Sequence, residues 1–316
     1  MSKKHLEKYL YSEKPLTYSI ILDFKENDFY SPYRKNFSKP DMLKKLKREI
    51  LKFLLNKKEL NSLTSAKKLN IFGFQELGNT NNEDVFIIGY PKSGNTLLQH
   101  IVAHLVFGLR KDAPKSLINS CVTEWYNNPM FFRHEKRHFF KSHELPDEKF
   151  KKVIYIIRDG RDAVRSYYYM QKNLGKNVSL EDLYSSGGKT FRGTWASHVD
   201  KWTANKYKAD ILYIKYEDLL KNKRNEIDRI CSFLGIERTD QEIKNVLEAT
   251  SFENMKTMEK SYSWSRMKSF KDWKKEGNFV REGKSGGFKL EDNLKKPSLD
   301  NFISASRSML EEYKYL

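Results

Sequence analysis

The chain has 316 residues and carries 59 lysines and arginines against 41 aspartates and glutamates, a formal net charge of +18. Hydrophobic residues make up 39% and aromatics 14%, which argues for a folded core and against a wholly disordered chain. No apolar run approaches the roughly 18 residues that would span a bilayer, the N-terminus MSKKHLEKYLYSEK lacks an apolar signal core, and two cysteines, Cys121 and Cys231, make neither a disulfide framework nor a four-ligand zinc site. The expectation is a cytoplasmic protein with no membrane partner, whose charge favours anionic ligands.

Residues 1–82 read as a helical, irregular lead-in, in which 42–55 (MLKKLKREILKFLL) has apolar residues at helical spacing. A polar turn over 77–84 closes it. Three apolar runs then read as buried strands: 85–88 (VFII), 153–157 (VIYII) and 211–214 (ILYI). Their near-continuous apolar character suits a parallel sheet covered on both faces. Helical stretches over 96–107, 163–170 and 195–207 lie between and after them, and HFFKS at 138–142 reads as a further short strand. A glycine-rich loop over 277–287 precedes a C-terminal segment, 297–316, built on a helix over 300–313. This alternation predicts an α/β fold, one domain over 1–316 with a central parallel sheet flanked by helices. The motifs read below fall within 84–290.

The most informative stretch is the first strand with the loop after it, Gly89-Tyr90-Pro91-Lys92-Ser93-Gly94-Asn95-Thr96, and then a helix with a buried stripe of Leu97, Leu98, Ile101, Val102 and Leu105. Strand, glycine-bounded loop and helix N-terminus form an anion cradle, because free backbone N–H groups and the helix dipole both favour a phosphate. Gly89 and Gly94 have the spacing of a P-loop and Thr96 takes its Ser/Thr place, but Asn95 stands where that motif holds lysine. The cation has moved inside the loop, to Lys92. That disfavours ATP hydrolysis and keeps a phosphate-like group in view.

At these residues the chain resembles the sulfotransferases that use 3′-phosphoadenosine 5′-phosphosulfate (PAPS), whose phosphosulfate loop YPKSGTTW reads YPKSGNTL here. The likeness continues in order. Lys141-Ser142-His143, followed by Leu145-Pro146, resembles Lys-Thr-His-Leu-Pro, and VIYIIRDGRDAVRSYY resembles the family's strand–arginine–helix segment. Tyr216-Glu217-Asp218, Thr250-Ser251-Phe252 with Met255, and Arg281-Glu282-Gly283 resemble Tyr-Glu-Asp, Thr-Ser-Phe…Met and the Arg-Lys-Gly loop. The chain departs from the pattern at Asn95 for threonine, Leu97 for a tryptophan that stacks on adenine, Asp159-Gly160 for Asn-Pro, and Glu282 for lysine.

The resemblance implies a P-loop-like fold, PAPS as donor, adenosine 3′,5′-bisphosphate (PAP) as product, and a small-molecule acceptor. It needs no metal and no nucleic acid. Lys92 is placed to neutralise charge on the bridging oxygen, and Ser93, Gly94, Asn95 and Thr96 to donate to the 5′-phosphate. Arg158, which closes the second apolar run, joins Ser166 and Arg281 at the 3′-phosphate; its plainer alternative is an ion pair with Asp159 or Asp162. Leu97, Tyr216, Thr250, Phe252 and Met255 surround adenosine, with Glu282 and Gly283 in the closing loop. His143 is the candidate general base, since a histidine titrates near working pH, and Lys141 adds positive charge at the sulfuryl group. The pairs His100/His104 and His134/His138 have helical spacing but no accompanying glutamate in the HExxH pattern, so no metal site is assigned. Two other readings stay open: a P-loop kinase or ATPase, against which Asn95 stands, and a basic nucleic-acid-binding protein, for which regular aromatic-basic motifs are absent. Acceptor identity, O- against N-sulfation and oligomeric state are not legible in the residues.

Overall fold

A computed structural model describes residues 74–125, 130–133, 136–261, 280, 283–290 and 296–316. The expected helix over 42–55 and residues 277–279, 281 and 282 of the loop over 277–287 lie outside the described residues. Five strands build one sheet: β2 (Val85–Ile88), β3 (Val122–Glu124), β5 (Phe139–Ser142), β6 (Lys152–Ile157) and β7 (Asp210–Lys215). A small pair, β1 (Phe74–Glu76) and β4 (Met130–Phe132), runs antiparallel beside it. The large sheet has the order β3-β5-β2-β6-β7, and all its pairings are parallel.

The helices are α1 (Asn95–Phe107), α2 (Lys115–Cys121), α3 (Gly160–Asn173), α4 (Leu180–Ser185), α5 (Trp195–Ala204), α6 (Tyr216–Lys221), α7 (Lys223–Leu234), α8 (Asp240–Ala249), α9 (Phe252–Ser261) and α10 (Lys296–Glu312). A 3-10 turn spans Gly287–Leu290. Both faces of the sheet are covered, as the apolar runs require. Val85 and Ile87 pack with α1, while Phe86 and Ile88 point to the opposite cluster holding Trp195, Trp202 and Phe302. This alternation along one strand is the ordinary period of two.

Several boundaries differ from those the sequence suggests, each for a local reason. The helix expected over 163–170 begins at Gly160, because the Asp159 side chain caps it by accepting from the Arg161 N–H at 2.9 Å. The helix expected to reach 207 stops at Ala204, where Asn205 turns left-handed at φ 43°. The terminal helix starts at Lys296, ahead of the expected 300, because Pro297 is tolerated in a first turn. Residues 74–76, placed in the irregular lead-in, form β1; a three-residue strand carries too little pattern to announce itself.

From the central β2 the chain moves first to β3 and β5 on one side, then to β6 and β7 on the other. The reversal leaves a crevice at the carboxyl ends of the strands, the usual ligand position in an open α/β sheet. Register sets what meets there. Ile88 lies beside Ser142 and Tyr155, so Gly89 and His143 leave the sheet side by side, with Arg158 one strand away.

Candidate active site

The loop between β2 and α1 is closed by steric demands. Gly94 has φ 114°, and a Cβ there would come within 2.7 Å of the Tyr216 ring. A Cβ on Gly89 would run into the Ile156 carbonyl oxygen. Lys92 also adopts positive φ, at 69°, a position unusual for a residue with a side chain. The loop is drawn tight so that α1 starts directly beneath it. Asn95 does a different task from a P-loop lysine: it is buried, and its Nδ2 donates to the carbonyls of Gly89 and Ser142, both at 3.2 Å. It ties the loop to β5. The Ser93 N–H, expected to face a phosphate, donates to the Tyr90 carbonyl at 3.1 Å.

His143 follows β5 directly. Its Nδ1 lies 2.7 Å from the Gly89 carbonyl oxygen, and a carbonyl only accepts, so Nδ1 carries the proton and the basic lone pair belongs to Nε2. Burial, against the opposing Gly89 hydrogen bond and reinforced by the charges of Lys141 and Lys92, pushes its pKa down to about 4. The ring is therefore neutral at physiological pH. Its backbone is held in turn: the His143 carbonyl lies 3.2 Å from His198 Nε2, and His198 Nδ1 lies 2.9 Å from the Tyr155 hydroxyl.

Lys141 is held by three oxygens, Glu124 at 3.0 Å, Gln99 at 3.2 Å and Thr96 at 3.3 Å. Three acceptors around one ammonium fix its position, which a long flexible side chain does not achieve alone. Arg158 stacks over the Tyr216 ring at 4.4 Å and donates to the carbonyls of Lys92 and Lys284 at 3.3 and 3.0 Å. Asp159 pairs with Arg161, so of the two ion pairs considered for Arg158 the one present is Asp162, at 3.7 Å. Asp162 also accepts from the N–H groups of Gly286 and Phe288 at 2.6 and 3.0 Å, docking the returning segment against α3.

These elements enclose a cavity of about 560 Å³. Lys92, Gly94, Asn95, Thr96, Leu97, Lys141, His143, Arg158, Ser166, Tyr216, Thr250, Phe252, Met255 and Gly283 all line it. Ser93 is fully buried beside it, and Arg281 and Glu282 lie outside the described residues. Glu124, Lys115, Arg165 and Lys223 line it without having been singled out in the sequence. Each is a common residue type in an ordinary local string, and topology alone brings it here. Glu124 is the sole carboxylate among the described lining residues, against lysines and arginines from several elements.

The donor set fits an anion of several charges. Arg158 Nε and Ser93 Oγ are buried without a hydrogen-bond partner among the described residues, and orphaned buried polar atoms are costly unless a ligand or water meets them. His100 and His104 are buried in α1 with rings 6.2 Å apart and do not line the cavity. Among the described residues no group of three or more His, Cys, Asp or Glu could hold a metal. No helix among them is long and apolar enough to cross a membrane.

This geometry, a sheet crevice with an anion loop, a buried neutral histidine and fixed cations, is that of a group-transfer enzyme acting on a phosphorylated donor. The family model of the sulfotransferase domain matches residues 82–307. The chain is 27% identical to the amine sulfotransferase of Oryctolagus cuniculus over 75% of this chain and 85% of that one. It is 31% identical to the 3-beta-hydroxysteroid sulfotransferase of Cavia porcellus over 66% of this chain and 77% of that one. Similar solved folds include retinol dehydratase in complex with androsterone and inactive cofactor PAP, with a TM-score of 0.58 at 21% identity over 73% of this chain and 82% of that one. A mouse sulfotransferase complexed with PAP has a TM-score of 0.54 at 21% identity, covering 75% of this chain and 90% of that one. The chain belongs to the PAPS-dependent sulfotransferase family.

Proposed function

We propose that the protein transfers the sulfuryl group of PAPS to a hydroxyl or amine of a small-molecule acceptor, in line, with His143 as general base. The observation that carries this reading is the 2.7 Å contact between His143 Nδ1 and the Gly89 carbonyl, which aims a basic Nε2 from the root of the anion loop. The acceptor's proton passes to Nε2 as its oxygen or nitrogen forms a bond to sulfur. The bond from sulfur to the bridging oxygen breaks, and PAP leaves with the electron pair. Lys92 and Lys141 meet the charge that builds on the leaving phosphate and the sulfuryl oxygens. The start of α1, Gly94 to Thr96, receives the 5′-phosphate with its N–H groups. Arg158 and Ser166, together with Arg281, take the 3′-phosphate, where a guanidinium grips two oxygens at once. Leu97, Tyr216, Phe252 and Met255 enclose the adenosine.

Proteins similar to this chain are named for amines and for hydroxysteroids, so the acceptor panel spans amines, steroid alcohols and phenols. Incubation with PAPS and this panel should release PAP with at least one acceptor, and calorimetry should detect PAP binding. Absence of both refutes the reading.

A further inference from the structure

Of the two hydroxyl-bearing residues grouped around the adenosine, Tyr216 and Thr250, the second has its donors committed elsewhere. The Thr250 hydroxyl donates to the Val246 carbonyl at 2.7 Å, and the Thr250 N–H donates to the same oxygen at 3.0 Å. Both are spent inside the end of α8. The side chains of Leu97, Leu220, Phe252 and Met255, which line the same cavity, carry no donor at all. Phe252 is held flat by the backbone across it, for a Cβ on Gly283 would come within 2.5 Å of its ring.

Lys223 brings a charged donor to this cavity. It is the first residue of α7, behind Asn222, whose side chain caps the helix by accepting from the Asn225 N–H at 3.2 Å. Its Nζ donates to the Thr250 carbonyl at 2.5 Å, and its side chain lines the cavity. An ammonium has three protons and no acceptor capacity, so one bond to Thr250 leaves donors to direct elsewhere. Burial holds its pKa below the usual lysine range, with Glu253 the one charge acting in the other direction. A partly desolvated cation gains from every further acceptor it meets. A purine offers such acceptors at its ring nitrogens, on an edge that flat apolar walls leave exposed.

We infer that Lys223 is a nucleotide-recognition residue, donating from its ammonium to a ring nitrogen of the donor's purine. The inference rests on reading this cavity as the donor site. Where an aromatic face is replaced by Leu97, an edge contact from Lys223 supplies base selectivity that stacking does not.

Calorimetry on the full chain tests it with two probes, adenosine 3′,5′-bisphosphate and abasic 2-deoxyribose 3,5-bisphosphate, which keeps both phosphates and lacks the base. Lys223→Met is expected to weaken the adenosine nucleotide roughly tenfold or more, the value of a hydrogen bond to a charged group, and to leave the abasic probe within about twofold. Lys223→Gln keeps an N–H donor and should recover part of the loss; it also serves if the methionine variant does not fold. Equal weakening of both probes assigns Lys223 to a phosphate or to the fold and overturns the inference. So does an unchanged affinity for both. If the wild-type protein binds neither probe, the donor reading fails first and takes this inference with it. A wild type that binds both and a variant that matches it fail the inference alone.

Discussion

Tyr315 donates its hydroxyl to Glu217 Oε2 at 2.9 Å from beyond the end of α10. Glu217 Oε1 in turn accepts from the Asp159 N–H at 3.2 Å. One carboxylate therefore clamps the carboxyl ends of β6 and β7, directly behind Arg158 and Tyr216. Burial raises the Glu217 pKa, opposed by these hydrogen bonds and by Arg158. Arg161 completes the clamp by pairing with Asp159 at 2.7 Å and donating to the Tyr315 carbonyl.

Tyr315→Phe removes one donor from a mostly buried carboxylate and keeps the ring. The expected cost is about 1–3 kcal/mol, the penalty for leaving such an acceptor short of a partner. Thermal unfolding reads it. A melting temperature equal to wild type would make the hydrogen bond incidental.

At Gly94 the anion loop combines a positive φ with a close neighbouring ring. Gly94→Ala faces both the strain of φ 114° and a ring 2.7 Å from the new Cβ. The loop must move, at a cost of about 1–3 kcal/mol for the backbone alone. PAP binding should fall more than tenfold in a protein that still shows cooperative unfolding. Retained affinity would mean that the loop conformation does not matter for the donor.

The buried histidines make stability and catalysis respond to pH differently. His143 and His104 have pKa values pushed down to about 4, and His198 to about 3, in each case by burial first. A histidine depressed in the folded state gives nothing at high pH, where both states are neutral. Below about 6.5 the unfolded chain takes up protons that the fold refuses, so stability falls as pH falls toward 4. His143, the proposed general base, stays deprotonated over the same window. At a temperature well below unfolding, kcat/KM should hold level from pH 7.5 to 5 while the melting temperature drops. A rate that halves near pH 6.5 would place the essential base in an ordinary environment and exclude this geometry for His143.

Arg158→Lys keeps the charge and loses the two-pronged grip. Affinity for adenosine 3′,5′-bisphosphate should fall about tenfold or more, while that for adenosine 5′-monophosphate stays within about twofold. Equal losses would move Arg158 away from the 3′-phosphate.

How much of this was legible in the sequence depends on how local each signal is. The strands β2, β6 and β7 are apolar runs that sit between turns, and the sheet follows from them. The strands β1, β3 and β4 span three residues each and are ordered by their neighbours. Among the site residues, those in the loop after β2 and at the ends of β5 and β6 were visible because strand ends aim side chains at the crevice. Glu124 was not, because its meaning lies in Lys141, 3.0 Å away on a neighbouring strand. Lys223 was not, because a lysine at a helix start is ordinary until Thr250 is placed against it. The role of Asn95 was half legible: its substitution for lysine was plain, but its bracing of Gly89 to Ser142 needed β5 beside β2.

The most direct test of the central claim compares wild type with His143→Ala, measuring both PAP release from PAPS with an accepted acceptor and PAP affinity. The account predicts that the variant loses about 10²- to 10⁴-fold in kcat, the range for a positioned general base, and keeps its PAP affinity within about twofold. Undiminished turnover in His143→Ala, or turnover and affinity falling together, would contradict it.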